Sequence, residues 1–225
     1  MAYSRRYRRS RGRRSQKRYI PRKPPSRWSV YKRAFYQLGR DVQYVKNSIN
    51  VEYKACDLAA SVNPTSGAMT KILINGLTKG DDFSNRDGRQ IRLKSLQCAF
   101  TANMHGSASD TGLRCLLVID KKPATLTFND SALLDGVNLL KMRNLSNRNR
   151  FVILKDFVIN MHATNKHEVT TKFYKKVDLK TIYNSANFGD IQDIENNAVY
   201  LVFLSDEATN VPQVDYQIRA RFIDN

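Results

Sequence analysis

The residues of this sequence best suited to chemistry are cations, and they are concentrated at the N-terminal end. Residues 1–27 contain 12 of the 38 arginines and lysines of the 225-residue chain and no acidic residue. Arginine and lysine release counterions from a phosphate backbone, and tyrosine stacks on unpaired bases. We therefore predict a nucleic-acid-binding arm. Its phosphate-binding residues are Arg5, Arg6, Arg8, Arg9, Arg11, Arg13, Arg14, Lys17, Arg18, Arg22, Lys23 and Arg27, and its possible base-stacking residues are Tyr3, Tyr7 and Tyr19.

The composition also predicts that this arm is disordered. Like charges repel along it, and Gly12 and three prolines interrupt regular structure. Residues 1–40 hold 15 basic residues and no acidic ones, so the other 185 residues carry 23 basic against 20 acidic groups. The body is therefore nearly neutral, within a total charge of +18. A nuclear import signal, alone or alongside nucleic-acid binding, and a solvated charge run are the alternatives.

The sequence contains no motif for catalysis or cofactor binding. A glycine-rich phosphate loop, a GxSxG elbow, an HExxH helix and a metal-spaced set of Cys and His are all missing. We therefore expect no enzyme, no cofactor and no metal site. The weaker alternatives are a calcium site at Asp81, Asp82 and Asp87, a metal site at His162 and His167, and a carboxylate pair at Asp190 and Asp193.

Cysteine usage and hydropathy predict thiols in a reducing compartment and no membrane span. Cys56, Cys98 and Cys115 are odd in number and form no CxxC pair, so we predict buried thiols, with a disulfide or metal role as the alternative. No apolar run approaches 18 residues, so we expect no membrane insertion. The basic N-terminus lacks the apolar segment of a secretory signal.

A short helix is predicted between the arm and the body. After two prolines, residues 26–38 place apolar side chains at helical spacing, with Ser29 as a possible N-cap and Gly39 as the stop. Trp28, Tyr31 and Tyr36 are expected to pack against the body or against symmetry-related copies rather than against bases. Residues 28–44 are thus assigned to a short helix and linker.

The rest of the chain predicts about eight strands with few helices. A central hairpin spans residues 89–104 and 113–120, and a phase slip in its first strand indicates a β-bulge near Lys94 and Ser95. The second strand is apolar on both faces, which is typical of a strand covered on each side. The cleanest alternation lies in residues 213–223, whose even-numbered side chains are predicted to be buried. Such a chain closes as a sandwich, jelly roll or barrel.

The ordered segments GDDFSNRDGRQIRLKSLQ, LRCLLVIDKKP, RNRFVILKD, FYKKVDLKTIYN, NAVYLVFLSD and YQIRARFID resemble single jelly-roll capsid proteins of small viruses. The resemblance is to the circular single-stranded DNA (CRESS-DNA) viruses and their relatives, the satellite necrosis virus coat proteins. It covers residues 45–225, and the arginine-rich arm is typical of the DNA viruses.

This resemblance implies an all-β, eight-stranded jelly roll with sheets BIDG and CHEF over residues 45–225, behind the arm 1–27 and the linker 28–44. The implied strands are B at 47–58, C at 89–104, D at 113–120, E at 150–161, F at 170–177, G at 181–183, H at 198–205 and I at 213–223.

It also implies a function, that of a coat protein whose 60 copies close an icosahedral (T=1) shell with the basic N-terminus inside. The expected partners are further copies of the chain, single-stranded DNA and nuclear import receptors, in the virion and in the host nucleus during assembly. The alternatives are a satellite RNA virus coat protein and a cellular nucleic-acid-binding structural protein, although eight strands on a neutral body disfavour the latter.

Overall fold

The computed structural model describes residues 27–48 and 53–224, which divide into a helical unit and a body of β-strands. The helix, α1 (Arg27–Ser48), is longer than predicted. The predicted stop at Gly39 is wrong, because Gly39 keeps a helical backbone with no positive φ. A glycine inside a helix costs only about 1 kcal/mol relative to alanine. The predicted N-cap at Ser29 is also wrong, since α1 already includes Arg27.

No helix in the described part of the chain is long and apolar enough to span a bilayer.

Across Gly39, the side chain of Gln37 donates a hydrogen bond of 3.1 Å to Asp41, a pair at the i,i+4 spacing that supports a continuing helix. The strand predicted from residue 47 therefore begins later, because residues 47 and 48 still belong to α1.

Two antiparallel sheets form the body. The five-stranded sheet has the order β1-β9-β3-β6-β7, and the four-stranded sheet has the order β2-β8-β4-β5. The strands are β1 (Tyr53–Val62), β2 (Thr70–Leu73), β3 (Gln90–Asn103), β4 (Asp110–Asp120), β5 (Phe151–His162), β6 (Glu168–Tyr183), β7 (Ile194–Asn196), β8 (Ala198–Ser205) and β9 (Gln213–Asp224).

The predicted jelly roll is confirmed, but most of the strand letters were assigned to the wrong segments. The order β1-β9-β3-β6 is B-I-D-G, and β2-β8-β4-β5 is C-H-E-F. Strand C is therefore β2, a four-residue strand too short to show alternation, and the segments predicted as C, D and E are D, E and F. The segments predicted as F and G are one strand, β6, because Asp178 adopts a φ of 55° without ending the pairing.

The predicted bulge is confirmed at Lys94. The register of β3 shifts between Leu93 and Ser95 against both β9 and β6. On the β9 side Lys94 is the extra residue, whereas on the β6 side two residues, 177 and 178, stand opposite it. The bulge therefore keeps the inward alternation of β3 correct on both sides of the slip.

The last strand has the predicted faces. Val214, Ile218, Ala220 and Phe222 are buried in β9, while Gln217, Arg219 and Arg221 are exposed. In the core, Phe100 of the five-stranded sheet meets Phe203 of the four-stranded sheet in an edge-to-face contact with ring centroids 5.1 Å apart. The two sheets thus bury one face of each strand against the other sheet.

The strand β4 is buried on both faces, as predicted. Its outer face is covered by residues 121–150, which contain the helix α2 (Asp130–Leu133) and the buried Phe128. Arg114 of β4 fastens this cover, because it donates hydrogen bonds of 2.8 Å and 2.7 Å to the carbonyls of Leu139 and Lys141. We refer to residues 121–150 as the cover segment.

All three thiols are free. Cys98 and Cys115 are buried, which confirms the prediction for these two, and Cys56 is only half-buried. Burial raises the pKa of the Cys98 thiol to about 12, so this side chain stays protonated at neutral pH.

Because Ile218 is fully buried, Ile218→Asp places a carboxylate in the core and is expected to abolish soluble folding, at a cost of several kcal/mol. The matched control is Gln217→Glu on the exposed face, which should leave the unfolding temperature within a few degrees of the parent. Soluble yield and thermal unfolding of the two variants measure the difference, and equal behaviour would contradict the assignment of faces.

Candidate nucleic-acid interface

The predicted arm lies outside the described residues, apart from Arg27, whose backbone belongs to α1. The predicted phosphate-binding and base-stacking side chains therefore remain predictions. The described body contains a second cationic surface, which the sequence analysis did not identify.

The three carboxylates considered for a calcium site, Asp81, Asp82 and Asp87, do not form a metal-binding group. Asp87 pairs with the buried ammonium of Lys54 at 2.9 Å, and Asp82 accepts a hydrogen bond of 3.3 Å from Asn85. Within the described ranges, no group of three His, Cys, Asp or Glu side chains is arranged to hold a metal ion.

The other weak candidates have structural contacts. His162 bonds to Asp110 across β4 and β5, and the backbone carbonyl of His167 accepts from Met104. Asp193 is buried and accepts a 3.3 Å hydrogen bond from the backbone of Asp190, which caps a short 3-10 turn. This carboxylate pair therefore stabilises a turn.

The solvent-facing side of the five-stranded sheet is the strongest candidate for a binding surface. We call it the basic face. Alternate residues of four strands form it, namely Asp57, Ala59, Ser61, Gln97, Ala99, Thr101, Thr170, Lys172, Tyr174, Lys176, Lys180, Asp215, Gln217, Arg219 and Arg221.

Strand register arranges these side chains in rows across the sheet. Arg219 of β9 is paired with Gln97 of β3, which is paired in turn with Tyr174 of β6. In the next row Ala99 lies between Gln217 and Lys172. The first row therefore presents an amide and an aromatic ring, which bind a base edge and a base plane, and the next row adds the ammonium group of Lys172, which can bind a phosphate.

Some cations of this surface are already neutralised. Arg219 holds Asp57 through two hydrogen bonds of 2.6 and 2.7 Å, and these bonds lower the pKa of the Asp57 carboxyl. Next to the basic face, at the bulge, Arg92 and Lys94 bond to Asp178 at 2.6 and 2.5 Å, and these bonds lower the pKa of Asp178 to about 2. Both carboxylates are exposed, so these pairs contribute little to stability.

Four other cations of the basic face form no direct ion pair with a described carboxylate: Lys172, Lys176, Lys180 and Arg221. Of these four, Lys172 lines a shallow depression of about 350 Å³ above Ala99 and Thr101, and Asp215 lines the same depression. Tyr174 stands beside it with 63% of its surface exposed. The arrangement suits a single strand whose phosphates meet the lysines while a base stacks on the tyrosine ring.

The sequence carried part of this signal. Thr170, Lys172, Tyr174 and Lys176 share one parity in β6, so their common face was visible in the alternation. What the alternation did not reveal is that β6 and β9 both flank β3 in one sheet.

A sequence model of the family described as geminivirus coat protein/nuclear export factor BR1 matches residues 2–225. No curated protein matches the chain. Among solved structures, the desmodium yellow mottle tymovirus is similar at 14% identity and a TM-score of 0.34, over 77% of this chain and 87% of that chain. The broad bean stain virus structure is similar at 10% identity and a TM-score of 0.37, over 79% of this chain and 92% of that chain.

Replacing Lys172, Lys176 and Lys180 together with glutamine is expected to weaken binding of the full-length protein to a single-stranded DNA oligonucleotide. Three lost phosphate contacts should reduce the slope of log K against log salt by about 2. The control replaces the exposed Lys121, Lys122 and Lys141 of the cover segment with glutamine, which removes the same charge from another surface. Equal slopes in a salt titration of the two variants would show that DNA does not bind preferentially to the basic face.

Proposed function

The chain belongs to the geminivirus coat protein/nuclear export factor BR1 family, and from that premise we propose that 60 copies close an icosahedral shell around a single-stranded DNA genome. The chain is a viral coat protein, a virion component that assembles with copies of itself. The 60-subunit count, the cargo and the place of assembly are the proposed parts.

The separation of charge within the chain carries the proposal. Residues 1–40 hold 15 basic residues and no acidic ones, whereas the remaining residues are nearly balanced. A neutral body favours packing of subunits side by side, since it limits repulsion between copies. A cationic arm can bind and neutralise the phosphates of a nucleic acid. One chain therefore separates the shell-forming part from the cargo-binding part.

The charge of residues 1–40, which comprise the arm and the first part of α1, supports a short genome. Sixty subunits with 15 cations each bring on the order of 900 positive charges together, and a single strand carries about one negative charge per nucleotide. Neutralisation by the protein alone matches roughly 900 nucleotides, and mobile counterions extend this to about 1 to 2 kilobases.

A single strand is favoured over a duplex on two grounds. A duplex of that length doubles the charge, and its persistence length of about 150 base pairs resists tight bending. Tyr3, Tyr7 and Tyr19 of the arm and Tyr174 of the basic face offer rings to unpaired bases. DNA is favoured over RNA because the description of the matching family names geminivirus coat proteins. RNA, as in the satellite viruses, is the alternative cargo.

The cover segment supports contacts between subunits. Four of its large apolar side chains, Leu126, Leu140, Met142 and Leu145, are 70 to 84% exposed. Clusters of exposed apolar side chains of this kind are typical of protein–protein interfaces. We assign them to contacts between neighbouring subunits of the shell.

The proposed role is structural rather than enzymatic, and the arm also serves nuclear import. A run of arginines and lysines is a typical import signal, and import receptors would bind the same residues before the genome does. The family description names a nuclear export factor beside the coat protein, which favours a nuclear stage. We therefore place assembly in the host nucleus.

Deletion of residues 2–27 is expected to leave the β-body folded and to remove most of the packaged nucleic acid, because the deleted residues carry 12 basic residues. The ratio of absorbance at 260 and 280 nm of purified protein measures the loss, and thermal unfolding checks the fold. If the truncated protein retains as much nucleic acid as the intact one, the arm is not the packaging element.

Native particles are expected to contain DNase-sensitive, RNase-resistant nucleic acid of about 1 to 2 kilobases. Extraction, digestion with each nuclease and gel electrophoresis measure this directly. RNase-sensitive cargo would place the protein with the satellite RNA viruses. Cargo far longer than 2 kilobases would contradict a shell of 60 subunits.

A further inference from the structure

Six of the nine large exposed apolar residues of α1 follow one another at alternating spacings of three and four residues, while Val30, Tyr36 and Tyr44 lie on other sides of the helix. The six are Trp28, Tyr31, Phe35, Leu38, Val42 and Val45, and their exposed fractions range from 47% to 79%. This is the a/d pattern of a heptad repeat, sustained over the whole helix.

The stripe formed by these six a and d residues is too narrow for a helix that lies on a globular core. Such helices carry large apolar residues beside the a and d positions as well, at e or g. In α1 those flanking positions hold Lys32, Ala34, Gly39 and Asp41, none of which is large and apolar. A seam limited to a and d fits a single helix as its partner.

We propose that α1 pairs in antiparallel orientation with α1 of a second subunit, so that the shell contains a two-fold helical contact between copies. The contact is isologous: each helix presents the same seam to its partner. The proposal goes beyond the packaging function, since it concerns how subunits join and not what they enclose.

The sizes of the seam residues favour the antiparallel orientation. In that orientation the layers pair Trp28 with Val45 of the partner subunit and Tyr31 with Val42 of the partner subunit, with Phe35 meeting Leu38 of the partner subunit near the centre. Each large ring then faces a smaller side chain, as close packing requires. A parallel pair would instead crowd ring against ring at one end and leave two small valine layers at the other.

The charge of the arm favours the same orientation. Twelve basic residues and no acidic one precede residue 28. A parallel pair would hold two such arms side by side, and like charges at that distance repel. An antiparallel pair separates residue 28 of one copy from residue 28 of the other by about 26 Å along the axis, at 1.5 Å per residue.

The retained glycine also fits this seam. Gly39 lies at a flanking position, and a Cβ built on it has no neighbour within 4 Å, so its surface is open. In the antiparallel pair that surface lies beside the flanking position of Lys32 of the partner subunit. The long lysine stem therefore has room to cross the partner helix there.

Cysteine cross-linking of the full-length protein tests the proposal. Trp28→Cys and Val45→Cys are placed on two differently tagged chains in a Cys56→Ala background, co-expressed, and treated with a short bifunctional thiol reagent. Cys98 and Cys115 stay in place because they are buried. The expected product is a dimer of the two tagged chains, whereas each variant expressed alone should give little dimer.

The matched control is the pair Arg33→Cys and Arg40→Cys, which lies at one axial level but on the outer sides of the two helices. It should give no dimer. A dimer from Trp28→Cys alone would show a parallel pair, and a mixed sample without cross-links would show that the stripe packs elsewhere, including on its own body. Either result overturns the proposal.

Electron microscopy of the same samples separates this proposal from the packaging function. If the treated sample contains particles but no cross-linked dimer, the helix pairing is contradicted and the proposed shell is not. Cross-linked dimers that never form particles support the pairing and contradict the shell. Thermal unfolding of every variant confirms that the β-body is folded, so a missing cross-link reports on α1.

Discussion

The need to bury β4 on both faces is the constraint on which the rest of the body depends. All of β4 from Thr111 to Asp120 is buried, so one face requires the opposite sheet and the other requires the cover segment. Two polar residues on the outer face hold that cover at either end of the strand. Arg114 bonds to Asp156 and to two carbonyls of the cover, and Asp120 holds Arg150 through two hydrogen bonds.

This constraint also decides where charge is tolerated. In the four-stranded sheet β4 and β8 are buried on both faces, whereas the five-stranded sheet keeps one face open to solvent. Lysines without an ion-pair partner cost little free energy only where water reaches them. The basic face is the consequence: Lys172, Lys176 and Lys180 occupy the open side of β6. The exposed apolar residues of the cover segment and the exposed lysines of β6 thus lie on different surfaces of one small body.

One end of the sandwich contains a buried cation, Arg86, that forms no ion pair with a carboxylate of the described residues. Arg86 is fully buried, donates to the carbonyls of Leu77, Gly88 and Ala186 at 2.6 to 3.0 Å, and lies 4.3 Å from the ring of Tyr183. Three carbonyls and a ring face replace the lost hydration of the guanidinium. This one side chain orders the turn-rich stretch before β3, which resembles a loop when it is read as sequence alone.

Local pattern determined a large part of this protein. The alternation of β9, the doubly apolar β4, the bulge at Lys94 and the separation of the basic arm follow from side-chain period and charge, which are properties of the chain itself. Tertiary structure decided the rest. Only its pairing with β8 shows that β2 is a strand, and only its pairing with β3 shows that β6 continues through Asp178. The same sheet order shows that lysines and arginines from distant segments share one face. The physical reason is that strand pairing joins residues far apart in sequence. A local pattern of side chains therefore cannot predict which strand will accept the backbone hydrogen bonds of another, or which side chains will share a surface.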